Sequence, residues 1–140
     1  MMLNIQQLQL CDIQGRLFEN SISERLDSRK FVDAFMNSFV ASQLDEIWSH
    51  EQWAGEEYLM EELRDEIAIP SAEDFLYNEA LYWAGYLYRY WHYYKNISSK
   101  EIYAIADIDY LNLVYPAYHT LDVEMAIDRI YEAREQAGKL

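Results

Sequence analysis

Residues 82–94 read YWAGYLYRYWHYY, and eight of the thirteen are Tyr or Trp. No other stretch restricts the fold so strongly. At helical spacing, Leu76, Ala80, Trp83, Ala84, Leu87, Trp91 and Tyr94 share one face, an ordinary core stripe. Tyr82, Tyr86, Tyr90 and Tyr93 fall beside it, which leaves a narrow polar stripe of Asn78, Gly85, Arg89, His92 and Asn96. A helix that is aromatic nearly all round has to be covered on most sides. The spacing therefore predicts a central helix surrounded by others. It does not suit a bilayer. Tyrosine prefers the membrane interface, and an arginine at mid-span costs about 2.5–3.5 kcal/mol on insertion.

The remaining punctuation supports an all-α class, a compact multi-helix bundle around that helix. Only 4 Gly and 2 Pro occur in 140 residues, too few for a turn-rich β fold. Apolar spacing predicts a helix over 3–20, with Leu3, Leu10, Ile13, Leu17 and Phe18 inward. A second opens at Asp27 or Ser28 and buries Phe31, Val32, Phe35, Met36 and Phe39. A short third runs from Val40 to Trp48, and a fourth starts at Glu51, or at Glu56 if Gly55 breaks it. Pro70, Ser71 and Asp74 read as a stop followed by a shortened capping box, so the aromatic helix is predicted to begin there and run to Tyr94 or Lys95. That is roughly 23 residues, or about 35 Å. Gly85 inside it costs ~1 kcal/mol relative to alanine, which another helix or a partner chain passing close would offset. Ser98 with Glu101 forms a capping box for a short helix through Ala106. Another short helix is interrupted near its end by Pro116, and Asp122 opens the last helix, which runs out at Gly138. The whole, 1–140, reads as one helical domain with a seam near Pro70, since either half is small for its own core.

The net charge of −14 repels phosphate backbones and anionic membranes, so neither direct nucleic-acid binding nor membrane binding is expected. A basic protein is the better-matched partner. Seven of the sixteen residues from Glu51 to Glu66 are acidic, which reads as a solvated helix face over a buried stripe or, alternatively, as an acidic docking surface. Cys11 is the only cysteine, and the first residues carry no basic leader pattern. Both fit a reducing, cytoplasmic compartment.

Chemistry-bearing patterns are sparse. Arg89 and His92 share a helix face. The structural reading pairs the arginine with a carboxylate and stacks it on rings. The catalytic reading is a helical ribonuclease with Arg89 and His92 flanking a phosphate, aided by Glu79 or Glu101. Glu46 and His50 make half a metal site with no second half, so no metal or cofactor is expected. Cys11 has no activating neighbours in sequence, and neither a phosphate-binding glycine loop nor a serine elbow occurs.

The C-terminal segment YRYWHYYKNISSKEIYAIADIDYLNLVYPAYHTLDVEMAIDRI resembles a family of small bacterial proteins encoded beside toxins similar to ADP-ribosyltransferases. The likeness rests on Tyr94, Lys95, Ser98, Lys100, Glu101, Tyr115, Tyr118, His119, Thr120 and Asp122. Ser99 stands where that pattern has glycine, and Ala117-Tyr118 replaces the leucine before the histidine. FVDAFMNS and QWAGEEYLMEE resemble gut-bacterial proteins of the same kind. The resemblance implies a non-enzymatic antitoxin that binds and neutralises a cognate toxin. Its contact residues would be Trp48, Trp53, Glu56, Glu57, Tyr82, Tyr86, Arg89, His92 and Tyr93, aromatic anchors with an acidic rim. A second copy of the chain is a further candidate partner, and a carboxylate-rich mimic of nucleic acid is the remaining alternative.

Overall fold

In a computed structural model that describes residues 2–46 and 55–140, the described residues form α-helices joined by connections, of which 67–77 is a long one. Helix α1 spans Ile5–Ser23. Asn4 and Gln7 form a reciprocal capping box, with Gln7 N donating to Asn4 Oδ1 at 2.8 Å and Asn4 N to Gln7 Oε1 at 2.9 Å. Helix α2 (Ser28–Met36) is capped by Asp27 and α3 (Phe39–Leu44) by Ser38. Helix α4 (Glu56–Glu66) starts after Gly55, so the glycine does break the acidic segment. Helix α3 ends at Leu44, short of the predicted Trp48, where Asp45 caps it; Trp48 and the alternative start of the fourth helix at Glu51 lie outside the described residues.

Helix α5 (Asn78–Lys95) is the aromatic helix, and it begins six residues later than the Ser71 signal predicts. The reason is a long-range contact. Leu26 and Ser71 form an isolated antiparallel bridge, flanked by Asp27 N donating to Pro70 O (2.9 Å) and Ala72 N to Arg25 O (3.1 Å). Leu76 N then donates to Ser28 Oγ at 3.1 Å. The turn after α1 thus takes up Pro70 O and Ala72 N, the start of α2 takes up Leu76 N, and Ser71 caps no helix. The helix shortens to 18 residues, about 27 Å. It ends at Asn96, whose left-handed backbone (φ 55°) closes on His92 O.

Ser98 and Glu101 cap α6 (Ser99–Ile105) with the predicted box, Asp107 caps α7 (Ile108–Tyr118), and Asp122 caps α8 (Val123–Gln136). Pro116 sits inside α7 without ending it.

Helix α5 packs against α1, α6, α7 and α8. Ala80, Ala84, Leu87 and Trp91 are buried as predicted, while Trp83 and Tyr94 sit at the margin. Phe18 joins Phe31, Phe35 and Tyr88 edge to face, at centroid distances of 5.6, 5.4 and 6.2 Å. The polar stripe is covered at its middle, where Gly85 and Arg89 are buried, and exposed at its ends, Asn78 and Asn96. At Gly85 the α1 backbone crosses so closely that a Cβ would lie 2.5 Å from Gln14 O and 2.9 Å from Gly15 Cα. An approach of that kind admits only glycine.

Candidate functional site

Arg89 is 1% exposed and lies where α1, α3, α5 and α6 meet. Its Nε donates to Gln14 Oε1 at 2.7 Å, Nη1 to Asp45 Oδ1 at 2.7 Å and Nη2 to Ser99 Oγ at 3.2 Å. Each acceptor is fixed in turn. Gln14 Nε2 donates to Gly85 O at 3.0 Å, across the glycine crossing. The Asp45 carboxylate, just past the end of α3, also receives Ser99 N (2.9 Å) and Ser99 Oγ (2.8 Å). One carboxylate therefore holds the first turn of α6 and neutralises the arginine. Among the described residues, no buried side-chain nitrogen or oxygen is left without a hydrogen-bond partner.

His92 sits one turn along α5, with Nδ1 3.6 Å from Asp45 Oδ1 and 2.7 Å from Ile97 O. A carbonyl only accepts, so Nδ1 carries the hydrogen and donates to Ile97, bracing the turn after α5. Burial lowers its pKa from the usual 6.5, and the Arg89 charge lowers it further. The Ile97 carbonyl and Asp45 pull the other way and do not prevail. The two residues are thus adjacent, as their spacing requires, but each of the arginine's three nitrogens donates to another element of the fold. An open cleft of about 330 Å³ between α3 and α6 is lined by Ser38, Phe39, Ser42, Asp45 and Lys100; Arg89 and His92 are not among its described lining residues.

Arg89, expected at a partner surface, is instead enclosed, because its three partners come from three other elements. His92 and Tyr93 are half-buried and pack edge to face at 5.1 Å. Tyr82 and Tyr86 are also half-buried and touch each other at 6.3 Å; the Tyr82 hydroxyl donates to Asp12 of α1. Burial, then the Asp12 hydrogen bond, raises the Tyr82 pKa. Glu56 approaches Arg16 at 3.9 Å, and Glu57 is exposed. Trp48 and Trp53 lie outside the described residues, as do Glu51 and His50.

The acidic helix α4 divides its carboxylates between two tasks. Glu66 clamps the N-terminus of α3, accepting from Phe39 N (2.8 Å) and Val40 N (3.2 Å). Glu57, Glu61 and Asp65, four apart, form an exposed row along the helix. Arg64 beside them pairs with Glu24 of α1 at 3.1 Å.

Cys11 is buried and its thiol is pushed up to about 12, chiefly by burial, so it stays protonated and unreactive at neutral pH. No group of three or more His, Cys, Asp or Glu among the described residues is arranged to hold a metal. Among the same residues no helix is long and apolar enough to cross a membrane.

Sequence reading missed Gln14, Asp45 and Ser99. Only Gln14 left a signal, a polar residue inside the apolar face formed by Leu10, Cys11, Leu17 and Phe18. Compared with family models, with curated proteins and with solved structures, the chain gives no match. The antitoxin-like resemblance therefore rests on its quoted residues alone.

Proposed function

We propose that this chain is a non-enzymatic, antitoxin-like protein that acts in the cytoplasm by binding and neutralising a basic toxin. The row Glu57, Glu61 and Asp65 carries the reading. Like charges four apart on a helix oppose one another by about 0.2–0.5 kcal/mol a pair. A row that costs stability in the free chain is relieved when cationic side chains settle along it. The net charge of −14 speeds the encounter with such a partner. The commitment of Arg89 to Gln14, Asp45 and Ser99 also favours binding over phosphate chemistry.

The test is co-purification with the product of the neighbouring gene, and relief of its toxicity on co-expression. Glu57→Lys with Glu61→Lys should weaken the complex about tenfold or more, mainly by slowing association. No complex at micromolar concentrations, or unrelieved toxicity, refutes the reading. A charge-reversed variant that binds as well as wild type removes α4 from the interface.

A further inference from the structure

At the start of α5 four aromatic side chains gather outside the main core. Tyr77 is 55% exposed, Trp83 and Tyr115 are half-buried, and His119 is exposed. Tyr115 is the hub. Its ring lies 6.2 Å from Tyr77 and 5.6 Å from Trp83, both edge to face, and 4.4 Å from His119, stacked. Tyr77 and Tyr115 do not belong to the hydrophobic core or its packed margin, unlike Trp83. Glu79 lies exposed in the first turn of α5, two residues past Tyr77, and its carboxylate pushes the Tyr77 hydroxyl up from its usual pKa. Clustered, accessible tyrosine and tryptophan beside a carboxylate are the composition of an interface anchor.

We propose that Tyr77, Trp83, Tyr115 and His119, with Glu79, form the docking face for an arginine-bearing segment of a basic protein partner. The proposal rests on the binding reading above and gives it a second, aromatic surface. A guanidinium stacks on an aromatic ring while it pairs with a carboxylate, and this cluster presents both. The chain uses the same chemistry internally. Arg25 lies 5.5 Å over the Phe75 ring and 3.5 Å from Glu73. Lys95 lies 4.7 Å over Tyr94 and 4.0 Å from Asp128. Charge complementarity selects the occupant: Glu79 favours a cation, and the acidic chain favours a basic protein.

The experiment titrates the protein with the peptide acetyl-Ala-Arg-Ala-Ala-Arg-amide and follows the Trp83 indole and the tyrosine rings by NMR, up to millimolar peptide. A counterpart with citrulline for arginine keeps the shape and removes the charge. Saturable shifts at Trp83 and Tyr77 with the arginine peptide alone are expected. Tyr77→Ala and Glu79→Gln should each weaken binding about threefold to fivefold. Both residues lie outside the core, so both variants should keep the wild-type fold and melt only slightly lower, through loss of one ring contact or of one first-turn carboxylate. No shift, equal shifts with the citrulline peptide, or shifts confined to α4 overturn the proposal. Undiminished co-purification of the neighbouring gene product by both variants removes this face and leaves the binding reading standing.

Discussion

Arg89 shows how one buried charge organises a small protein. Its guanidinium joins α1, the end of α3 and the start of α6 to the central helix. Arg89→Ala leaves Asp45 without its counter-charge, and such losses cost about 3–5 kcal/mol. Arg89→Lys should recover only part of this, since an ammonium cannot reproduce the planar fork. Urea titration of the two variants checks both statements. His92 adds a pH dependence. Its folded pKa is lowered, so above the usual 6.5 both states are neutral there and its contribution is fully present. As pH falls below 6.5, the unfolded chain takes up a proton that the folded chain resists, and stability is lost down to the folded value. His92→Asn keeps a donor for Ile97 and cannot titrate. Its deficit against wild type should therefore narrow between pH 7.5 and pH 5.5, a window set around that shift. A constant deficit would mean that His92 does not carry the dependence. The adjacency of Arg89 and His92 was legible from their spacing. Their enclosure was not, because Asp45 and Ser99 lie far away in sequence.

At the level of helices, local signals read well and long-range ones did not. Asp27, Ser98 and Asp122 each cap the helix that their sequence context indicates. Ser71 carries the same kind of signal and fails, since its backbone pairs with Leu26 before a helix can form. The glycine in mid-helix was readable as a close approach, and the structure assigns that approach to α1. Gly85→Ala forces a Cβ against the Gln14 carbonyl and should destabilise by roughly 1–3 kcal/mol, although alanine is the better helix former. Ser98→Ala removes a cap that also serves the reciprocal box, at a cost of about 1 kcal/mol. Thermal melts of the two variants should rank Gly85→Ala as the more damaging. The reverse order would mean that the helices separate easily at the crossing.

Across the whole molecule, aromatic residues do two jobs. Tyr88, Trp91 and the phenylalanines of α1 and α2 build the interior, whereas Tyr77 and Tyr115 remain outside it. The acidic balance follows the same division, with Asp45 and Glu66 holding helices together and the α4 row left at the surface. This division underlies the central claim that Arg89 and His92 serve the fold, and the proposal that the surface serves a partner. Exchange of the Arg89 Nε hydrogen with solvent, followed by NMR at neutral pH, tests it most directly. An enclosed guanidinium predicts a persistent, slowly exchanging resonance that does not move when an RNA oligonucleotide is added. A resonance lost to rapid exchange, or one shifted by RNA that His92-dependent cleavage then consumes, would contradict it.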